Sequence, residues 1–377
     1  MPGIYVHIPF CARRCPYCDF AVTINARADF RAAYVCALTR ELESELARAN
    51  AQFDTVFFGG GTPTELSAPT LNRLLQTIRA SGKLAPDTEI ALEANPENLD
   101  FAYLSELKSG GWNRLSLGAQ SFSQAALEKF GRAHSPARIE SVVRDARRAG
   151  FENVSLDLIY GDLFTPPSVW RETLERAVSL EVEHLSCYSL TIEPGTHFGR
   201  LAARGLLQTP DDDAQADLMD EAETVLGAAG LRRYEVSNWA KAGFECRHNL
   251  NYWRGGNYLA AGCGAHGHWN GRRFWNVRDA KTYIARMESG EAREGEECLD
   301  ARERLSEIVA LGVRMREGFD VDELSARLEL DARALLERPL RFLKEAGALE
   351  VEGARVRPAP ASLAIADGLA LRLLSEV

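Results

Sequence analysis

Six short apolar stretches alternate with helical patterns along the first two thirds of the sequence, and this alternation most constrains the fold. The predicted strands cover residues 5–9, 54–58, 89–93, 114–118, 153–160 and 184–190. The predicted helices cover residues 29–48, 66–81, 99–109, 124–130, 136–149, 168–180 and 212–229. Such spacing indicates parallel βα units, which a doubly wound sheet and an open or closed βα-barrel would both satisfy.

Chemically distinctive residues follow nearly every predicted strand. They are Cys11, Gly60, Glu93, Gln120 and Asp157. In a βα-barrel the carboxyl ends of the strands form the face where active sites assemble, whereas an open sheet gathers its site at one switch point. The pattern therefore favours an α/β fold of the βα-barrel type over an open sheet.

The pattern changes after about residue 233. Residues 233–239 predict one more strand, and a stretch rich in Gly, Trp and Tyr follows at 246–275. The chain then shows helical patterns at 280–289, 302–316, 321–328 and 332–346 and a hairpin at 350–356. We predict a core barrel at 1–235, a connecting region at 236–295 and a smaller, mainly helical, winged-helix-like domain at 296–377.

Charge and hydropathy limit the function classes. The formal net charge is -10 and the sequence pI is about 5.4, whereas nucleic-acid binders usually carry the opposite sign. No apolar run has membrane-spanning length, and the N-terminus lacks a secretory pattern. We predict a cytoplasmic protein without a nucleic-acid partner; the sequence leaves its oligomeric state open.

Three of the eight cysteines, Cys11, Cys15 and Cys18, have C-x3-C-x2-C spacing. In a cytosolic chain such a cluster favours a metal over disulfides. Structural zinc takes four ligands, often as two CxxC pairs, and no second pair is present. A four-iron cluster usually takes four cysteines, so three would leave one iron open to another ligand. Zinc and three unrelated core thiols remain alternatives, and core packing is predicted for the other five cysteines.

This spacing after a first strand, with Tyr17 before the last cysteine, resembles the radical S-adenosylmethionine (SAM) superfamily. Proteins of that superfamily have a partial or full βα-barrel, so the resemblance implies that the six predicted strands form a partial (β/α)6 barrel. The open iron of the cluster in these proteins binds the amino and carboxylate groups of SAM. Reduction of the cluster then cleaves SAM to a 5′-deoxyadenosyl radical. The resemblance implies a [4Fe-4S] cluster on Cys11, Cys15 and Cys18, with SAM as a second cofactor.

Longer motifs are similar to the oxygen-independent coproporphyrinogen III oxidase-like family. They are Tyr5-Val-His-Ile-Pro-Phe-Cys11, Gly59-Gly-Gly-Thr-Pro-Thr64, Gln120-Ser-Phe, Gly131-Arg132-Ala-His134, Asp157-Leu-Ile-Tyr-Gly161 and Glu193-Pro-Gly-Thr196. Taken singly, each is also typical of ordinary turns and surface polar groups. By this resemblance, the SAM contacts are Tyr5, Tyr17, Gly60, Gly61, Thr62, Glu93, Gln120, Arg132, Asp157, Ser189 and His266, with Arg132 paired to the SAM carboxylate.

Two departures and one motif distinguish the branches of this family. The decarboxylating oxidase has a fourth cysteine where this chain has Phe20, and an N-terminal extension where this chain has four residues before Tyr5. His248-Asn-Leu-Asn-Tyr-Trp253 matches the H-N-x-x-Y-W motif of the HemW branch, whose members resemble haem-binding chaperones. The resemblance implies that haem contacts His248, Asn249, Tyr252 and Trp253.

Each of these residue types suits that role. Imidazole is a common axial ligand of haem iron, and aromatic rings offer flat apolar faces. A histidine among aromatic rings is also typical of a hydrogen-bonded core residue, and Cys246 is an alternative thiolate ligand.

The sequence thus predicts a haem chaperone that binds haem and a SAM-ligated cluster and delivers haem to acceptor proteins, such as respiratory haem proteins. The first alternative is an oxygen-independent coproporphyrinogen III oxidase, which would oxidatively decarboxylate propionate side chains; Phe20 disfavours it. The second is a tRNA-modifying or other radical SAM enzyme, which the acidic charge disfavours. No residue is assigned a catalytic role.

Overall fold

A 12-stranded sheet organises the computed structural model, which describes residues 2–162, 164–208 and 211–375. Its central six strands are parallel and lie in chain order. These strands are β1 (Gly3–Ile8), β2 (Phe53–Gly60), β3 (Leu84–Ala94), β4 (Arg114–Gln120), β5 (Val154–Tyr160) and β6 (His184–Ser189). The six predicted strands and the partial (β/α)6 barrel are confirmed.

Helices follow each of these strands and bury their apolar faces against the sheet. They are α1 (Ala28–Arg48), α2 (Ala68–Ala80), α3 (Phe101–Gly110), α4 (Gln124–Lys129), α5 (Pro136–Arg148), α6 (Ser168–Ser179), α7 (His197–Ala203) and α8 (Asp212–Ala228). Local signals set their ends. In α3, the Asp100 carboxylate accepts from the Tyr103 amide at 2.8 Å, and Gly111 ends the helix in the left-handed conformation.

Further strands extend the sheet at both edges. They are β7 (Arg232–Glu235), β8 (Asn238–Ala240), β9 (Tyr258–Ala261), β10 (His266–Trp269), β11 (Arg272–Asn276) and β12 (Arg293–Cys298). The β7–β8 hairpin joins β6 in antiparallel fashion, while β9 runs parallel to β1 and β10–β12 follow it. Residues 236–295 therefore contribute to both edges of the barrel sheet.

Sequence patterns did not predict β9 to β12, because these strands are short and glycine interrupts two of them, at Gly267 in β10 and Gly295 in β12. Gly267 in β10 lies opposite Phe274 in β11, and a Cβ at residue 267 would lie 2.2 Å from that ring. The glycine thus makes room for a cross-strand aromatic side chain. The single strand predicted at 233–239 is a hairpin of two strands.

Two helices of the connecting region are α9 (Arg247–Trp253) and α10 (Ala280–Glu288). The C-terminal part contains α11 (Ala301–Gly312), α12 (Val321–Leu328), α13 (Ala332–Glu345), α14 (Ala366–Leu374), β13 (Phe319–Asp320), β14 (Leu349–Glu352) and β15 (Arg355–Pro358). The predicted hairpin is confirmed as β14–β15, and β13 joins it to form a three-stranded antiparallel sheet.

This C-terminal part has its own apolar core and is joined to the barrel by backbone pairing. The Val236 amide donates to the Arg314 carbonyl at 2.9 Å, and the Arg316 amide donates to the Tyr234 carbonyl at 2.9 Å. No helix among the described residues is long and apolar enough to cross a membrane.

Candidate cofactor-binding site

A cavity of about 640 Å³ opens at the carboxyl ends of the barrel strands. All three clustered cysteines line it, together with residues from the ends of β2 to β6. From the predicted SAM set, the cavity is lined by Tyr17, Gly60, Gly61, Thr62, Glu93, Gln120, Arg132, Asp157 and Ser189. Ser189 also donates a hydrogen bond to the side chain of Gln215. The parallel topology therefore brings nine separately predicted residues to one place.

Two features hold the cysteine loop at this cavity. Phe10–Cys11 and Thr23–Ile24 form a short parallel pair at the base of the loop. The His7 ring donates from Nε2 to the Ala21 carbonyl at 3.0 Å and accepts at Nδ1 from the Tyr5 hydroxyl at 3.0 Å. Since burial lowers the pKa of His7, the ring is neutral and supports both bonds. The loop is thereby fixed to β1.

Polar hydrogen donors surround the cysteine thiols. Cys11 Sγ lies 3.5 Å from Thr62 Oγ1, and Arg132 Nη1 lies 3.5 Å from Cys15 Sγ. Burial raises the pKa of Cys11 to about 11 and also raises that of Cys18. No three His, Cys, Asp or Glu side chains in the described part of the chain converge closely enough to hold a single metal ion. In this conformation the three cysteine thiols are therefore not arranged around a single ion.

Arg132 is the centre of the hydrogen-bond network at the cavity. Its Nη2 donates to Asn95 Oδ1 at 2.5 Å and to the Gly118 carbonyl at 2.8 Å. Its buried Nε has no partner among the described residues. A buried guanidinium with an unused donor at the rim of a cavity fits a carboxylate ligand.

Asn95 also belongs to this site, although it was not among the residues predicted from the sequence. Its Nδ2 donates to Thr62 Oγ1 at 2.9 Å, so it connects Arg132 to the hydroxyl that contacts Cys11. The signal that could have identified it is the alternation of side chains along a strand, because residue 95 follows Glu93 by two positions. The side chains of both residues border the same cavity.

Gly118 allows this network to form. A Cβ there would lie 2.8 Å from Arg132 Nη2, 2.9 Å from Gln120 Nε2 and 3.0 Å from Asn95 Oδ1. Gln120 itself has a φ of 65°, a left-handed conformation that is strained for a residue with a side chain. The backbone at the end of β4 thus leaves room for the polar side chains of Arg132, Gln120 and Asn95 beside it.

Glu93 and Asp157 face each other across the cavity floor. Burial, followed by the neighbouring Asp157 charge, raises the pKa of Glu93 to about 8, although the Gly60 amide opposes the shift by donating at 3.2 Å. Burial also raises the pKa of Asp157, against hydrogen bonds that include Ser116 at 3.1 Å. Without a ligand, Glu93 is therefore mostly protonated at neutral pH.

The glycine run after β2 uses its amide donors within the protein. The amides of Gly60, Gly61 and Thr62 donate to Glu93 Oε2, the Ile8 carbonyl and the Phe10 carbonyl at 3.2, 2.9 and 2.8 Å. These amides are therefore not available to a ligand, and the Thr62 carbonyl is also engaged, by the Glu65 amide at 2.9 Å.

Two residues of the predicted SAM set do not line this cavity. Tyr5 lies deeper in the barrel, where it lines a second cavity of about 200 Å³. His266 is exposed and stacks on Trp275 with the ring centroids 6.1 Å apart.

The four predicted haem-binding residues do not share one cavity. His248 is fully buried, and both ring nitrogens are engaged, with Thr55 Oγ1 at 2.8 Å and Tyr252 Oη at 2.7 Å. Burial lowers the pKa of His248 to about 3, so the ring is neutral. Asn249 and Tyr252 line the 200 Å³ inner cavity, whereas Trp253 lines a cleft elsewhere. In this conformation His248 presents no free nitrogen to an iron.

A buried carboxylate fixes the amino end of α9. Glu89 of β3 accepts from the amides of Arg247 and His248 at 3.2 and 3.1 Å, and the Cys246 thiol lies 3.7 Å from the same carboxylate. Cys246 is thus a buried, hydrogen-bonded thiol. The motif helix is anchored to the barrel sheet by charge as well as packing.

Phe20 lies at the mouth of the cofactor cavity, and 64% of its surface is exposed. Tyr188, also partly exposed, borders the same cavity. Position 20, where the oxidase carries a fourth cysteine, therefore offers an apolar ring at the entrance.

Family models support the class of protein that this geometry indicates. The model of the radical SAM superfamily matches residues 5–177, and the model of the HemN C-terminal domain matches residues 299–363. The solved structure of coproporphyrinogen III oxidase (HemN) from Escherichia coli superimposes with a TM-score of 0.85 at 22% identity, over 100% of this chain and 91% of that one. The fold and the three-cysteine site define a radical SAM superfamily protein.

Curated relatives define the family more narrowly. The chain is 40% identical over 339 residues to the "Heme chaperone HemW" of Mycobacterium tuberculosis H37Rv, covering 89% of this chain and 87% of the relative. It is 36% identical to the protein of the same name from Bacillus subtilis 168, covering 92% of both. The Escherichia coli K12 protein of that name is 41% identical over 70% of this chain and 69% of its own. The chain belongs to the HemW family.

Proposed function

We propose that this protein is a haem chaperone, which binds haem and a SAM-ligated [4Fe-4S] cluster and delivers haem to acceptor proteins. The observation that carries the proposal is the similarity to proteins named heme chaperone HemW, which extends over most of both chains. The exposed Phe20 at the cavity mouth supports it, because that position lacks the additional thiol of the decarboxylating oxidase.

The residues of the cavity fit both cofactors. Cys11, Cys15 and Cys18 would hold the cluster, and the unused Nε of Arg132 would receive the SAM carboxylate. Glu93 would accept from the ribose or amino group, with Asp157 and Gln120 beside it. The chemistry that these cofactors supply within the superfamily is a one-electron reduction of SAM. The protein's own contribution is to bind, orient and partly bury both groups.

Haem would engage the α9 segment, with Trp253 against the ring and His248 as the iron ligand. Ligation requires that His248 separate from Tyr252, because both nitrogens are engaged in the present conformation. The acceptors would be haem proteins such as those of respiration.

A haem titration of three proteins tests this assignment. His248→Ala is expected to weaken ferric haem binding by about tenfold or more, since losing a ligand costs at least as much as losing a group that orients one. Tyr252→Phe removes the phenol that occupies Nε2 and is expected to keep or strengthen binding. The Soret absorbance measures both, with circular dichroism to show that each variant is folded.

A parallel activity assay separates the chaperone from the oxidase. Cluster-reconstituted protein, SAM, reductant and coproporphyrinogen are incubated without oxygen, and protoporphyrinogen is measured. Robust decarboxylation without stoichiometric haem binding would refute the chaperone function. If His248→Ala binds haem as tightly as the parent protein does, His248 is not the iron ligand, and the chaperone function stands.

SAM affinity is expected to rise as the pH increases from 6 to about 8. Glu93, with its pKa raised to about 8, must lose its proton to accept from SAM, so SAM binding at pH 7 releases most of one proton. The same shift makes the unliganded fold less stable as the pH rises from 4.5 to about 8, since the folded state holds the proton more tightly than the unfolded state. Calorimetry in two buffers of different ionisation heat measures the proton release.

The Glu93→Gln variant is expected to bind SAM with an affinity that does not depend on pH. At pH 8.5 it is expected to bind SAM more weakly than the parent protein does. Glu41→Gln is the matched control, because Glu41 is also buried with a pKa raised to about 7 but lies outside the cavity, bonded to Tyr283 and Asn276. An affinity for SAM that stays flat from pH 6 to 9 in the parent protein would contradict the assigned role of Glu93.

A further inference from the structure

A cleft of about 610 Å³ lies between α9 and the C-terminal part of the chain. Its walls come from the carboxyl end of α9, the turn after it, and α11 to β13. Apolar side chains on these walls are Trp253, Ile308, Met315, Phe319 and Leu324. Its volume lies within the range of about 300–1,000 Å³ that is typical of ligand pockets.

The cleft carries an excess of positive charge on an acidic protein. Four arginines and three carboxylates line it: Arg254, Arg304, Arg327, Arg355, Glu317, Asp320 and Glu323. Arg254 pairs with Glu317 at 2.7 Å, and Arg355 lies 4.0 Å from Asp320. The guanidinium of Arg304 has neither an ion pair nor a hydrogen bond to any residue that the structure describes, although the Arg304 amide donates to the Asp300 carbonyl at 3.0 Å at the start of α11. An unpaired guanidinium in a partly enclosed cleft favours an anionic ligand.

Arg327 adds to this positive potential. Its Nη1 donates to the Arg254 carbonyl at 3.0 Å, which holds the end of α9 against α12. Burial, together with the like charge of Arg304, lowers the pKa of the Arg327 guanidinium. Glu323 opposes this shift and, among the described residues, is the only lining carboxylate of the cleft that is not already paired with another of its arginines. Arg304 and Arg327 therefore lack a full complement of counter-charge, an arrangement that a dianion would stabilise.

Trp253 supplies a second unused group. Its indole Nε1 is buried and has no hydrogen-bond partner among the described residues, although the ring borders the cleft. Buried donors in native structures nearly always have a partner, but this nitrogen has almost no accessible surface, so the group that Trp253 offers to the cleft is the indole ring. The indole ring also offers a flat face for stacking.

The other cavities suit a tetrapyrrole less well. The inner barrel cavity of about 200 Å³ is smaller than typical ligand pockets, and the cofactor cavity is assigned to the cluster and SAM. A groove of about 430 Å³ beside β10 and β11 carries Arg48, Arg272 and Arg293, and each of these pairs with a glutamate. A groove of about 630 Å³ between α1 and α2 has no aromatic lining residue.

From these observations we infer that the cleft between α9 and the C-terminal part is the docking site for the porphyrin ring of haem. The ring lies against Trp253 and Phe319, and its two carboxylates pair with Arg304 and Arg327. This inference rests on the proposed haem-chaperone function and gives the haem a location. Docking of the ring in the cleft is a step that precedes ligation of the iron, because His248 does not line the cleft and must first separate from Tyr252.

Binding of iron-free protoporphyrin IX isolates docking from ligation. Arg304→Gln is expected to weaken it by about three- to tenfold, the loss of one charge-assisted pair. Trp253→Phe is expected to weaken it and to reduce the quenching of protein fluorescence. Protoporphyrin IX dimethyl ester lacks the carboxylates, so it should bind the parent and Arg304→Gln equally. Full-length protein and porphyrin fluorescence are used throughout.

Arg272→Gln is the matched control, since it removes an exposed arginine from the neighbouring groove. If Arg272→Gln loses as much affinity for protoporphyrin IX as Arg304→Gln does, the arginines act by unspecific charge attraction and the inference is overturned. If the parent binds haem and protoporphyrin IX but Arg304→Gln and Trp253→Phe bind both as well as the parent, the cleft is not the docking site and the chaperone function stands. A parent protein that binds neither compound would refute the function and the site together.

Discussion

Replacing Cys15 with alanine is expected to abolish assembly of the iron–sulfur cluster. The chain offers only three clustered thiols, so a variant with two cannot occupy three corners of a [4Fe-4S] cluster. After anaerobic reconstitution, iron content should fall from about four per chain to well below one. The visible absorption and the electron paramagnetic resonance signal of the reduced cluster should disappear with it.

The chain supplies its own control for this experiment. The prediction of core packing is wrong for Cys36 and Cys298, which are exposed. Both lie outside the cofactor cavity, so Cys36→Ala and Cys298→Ala should reconstitute like the parent protein. A Cys15→Ala protein that still holds a stable four-iron cluster would show that the three cysteines do not form the metal site.

Gly60→Ala is expected to destabilise the fold and the cofactor site together. Gly60 has a φ of 112°, and a Cβ there would lie 2.5 Å from the His7 ring, which anchors the cysteine loop through Ala21. Backbone strain and the collision should lower the free energy of unfolding by about 2–4 kcal/mol. Urea unfolding measures the loss, and calorimetry should show weaker SAM binding by the reconstituted variant.

The substitution Gly82→Ala measures the cost of backbone strain alone, without a steric clash. Gly82 also has a positive φ, 67°, but a Cβ there would have no neighbour within 4 Å. We expect a loss of about 1 kcal/mol, from the left-handed conformation alone, and unchanged SAM affinity. If the two substitutions lower the free energy of unfolding equally, the contact with His7 is not the reason that a glycine is needed at residue 60.

The sequence was most informative where one physical rule decides the outcome. Apolar runs of strand length separated by helical periodicity gave the six barrel strands, because burial on both faces of a parallel sheet leaves little choice. The carboxyl ends of parallel strands share one edge, so residues as distant as Cys11 and Asp157 could be assigned to one cavity. Within the C-terminal part, Gly353 identified the turn of the β14–β15 hairpin.

Other features depend on contacts between distant parts of the chain, which a linear pattern does not reveal. The position of His248 depends on Thr55, 193 residues earlier, and on the carboxylate of Glu89. The resemblance implied a haem ligand, while the residue pattern alone also allowed a hydrogen-bonded core histidine, and folding places His248 as the latter. Asn95 owes its role to Arg132, 37 residues away, and nothing about an asparagine before a proline identifies that partner.

Strand β1 connects two regions that have been described separately. At its first residue, Gly3, a Cβ would lie 3.0 Å from the His248 ring, and beyond its other end the chain enters the cysteine loop. A ligand that displaces α9 would thus act on the same strand that supports the cluster. Thermodynamic linkage is reciprocal, so if haem binding changes the affinity for SAM by some factor, SAM must change the affinity for haem by the same factor. Binding of haem would then change the affinity of the protein for SAM, and binding of SAM its affinity for haem, without any contact between the two ligands.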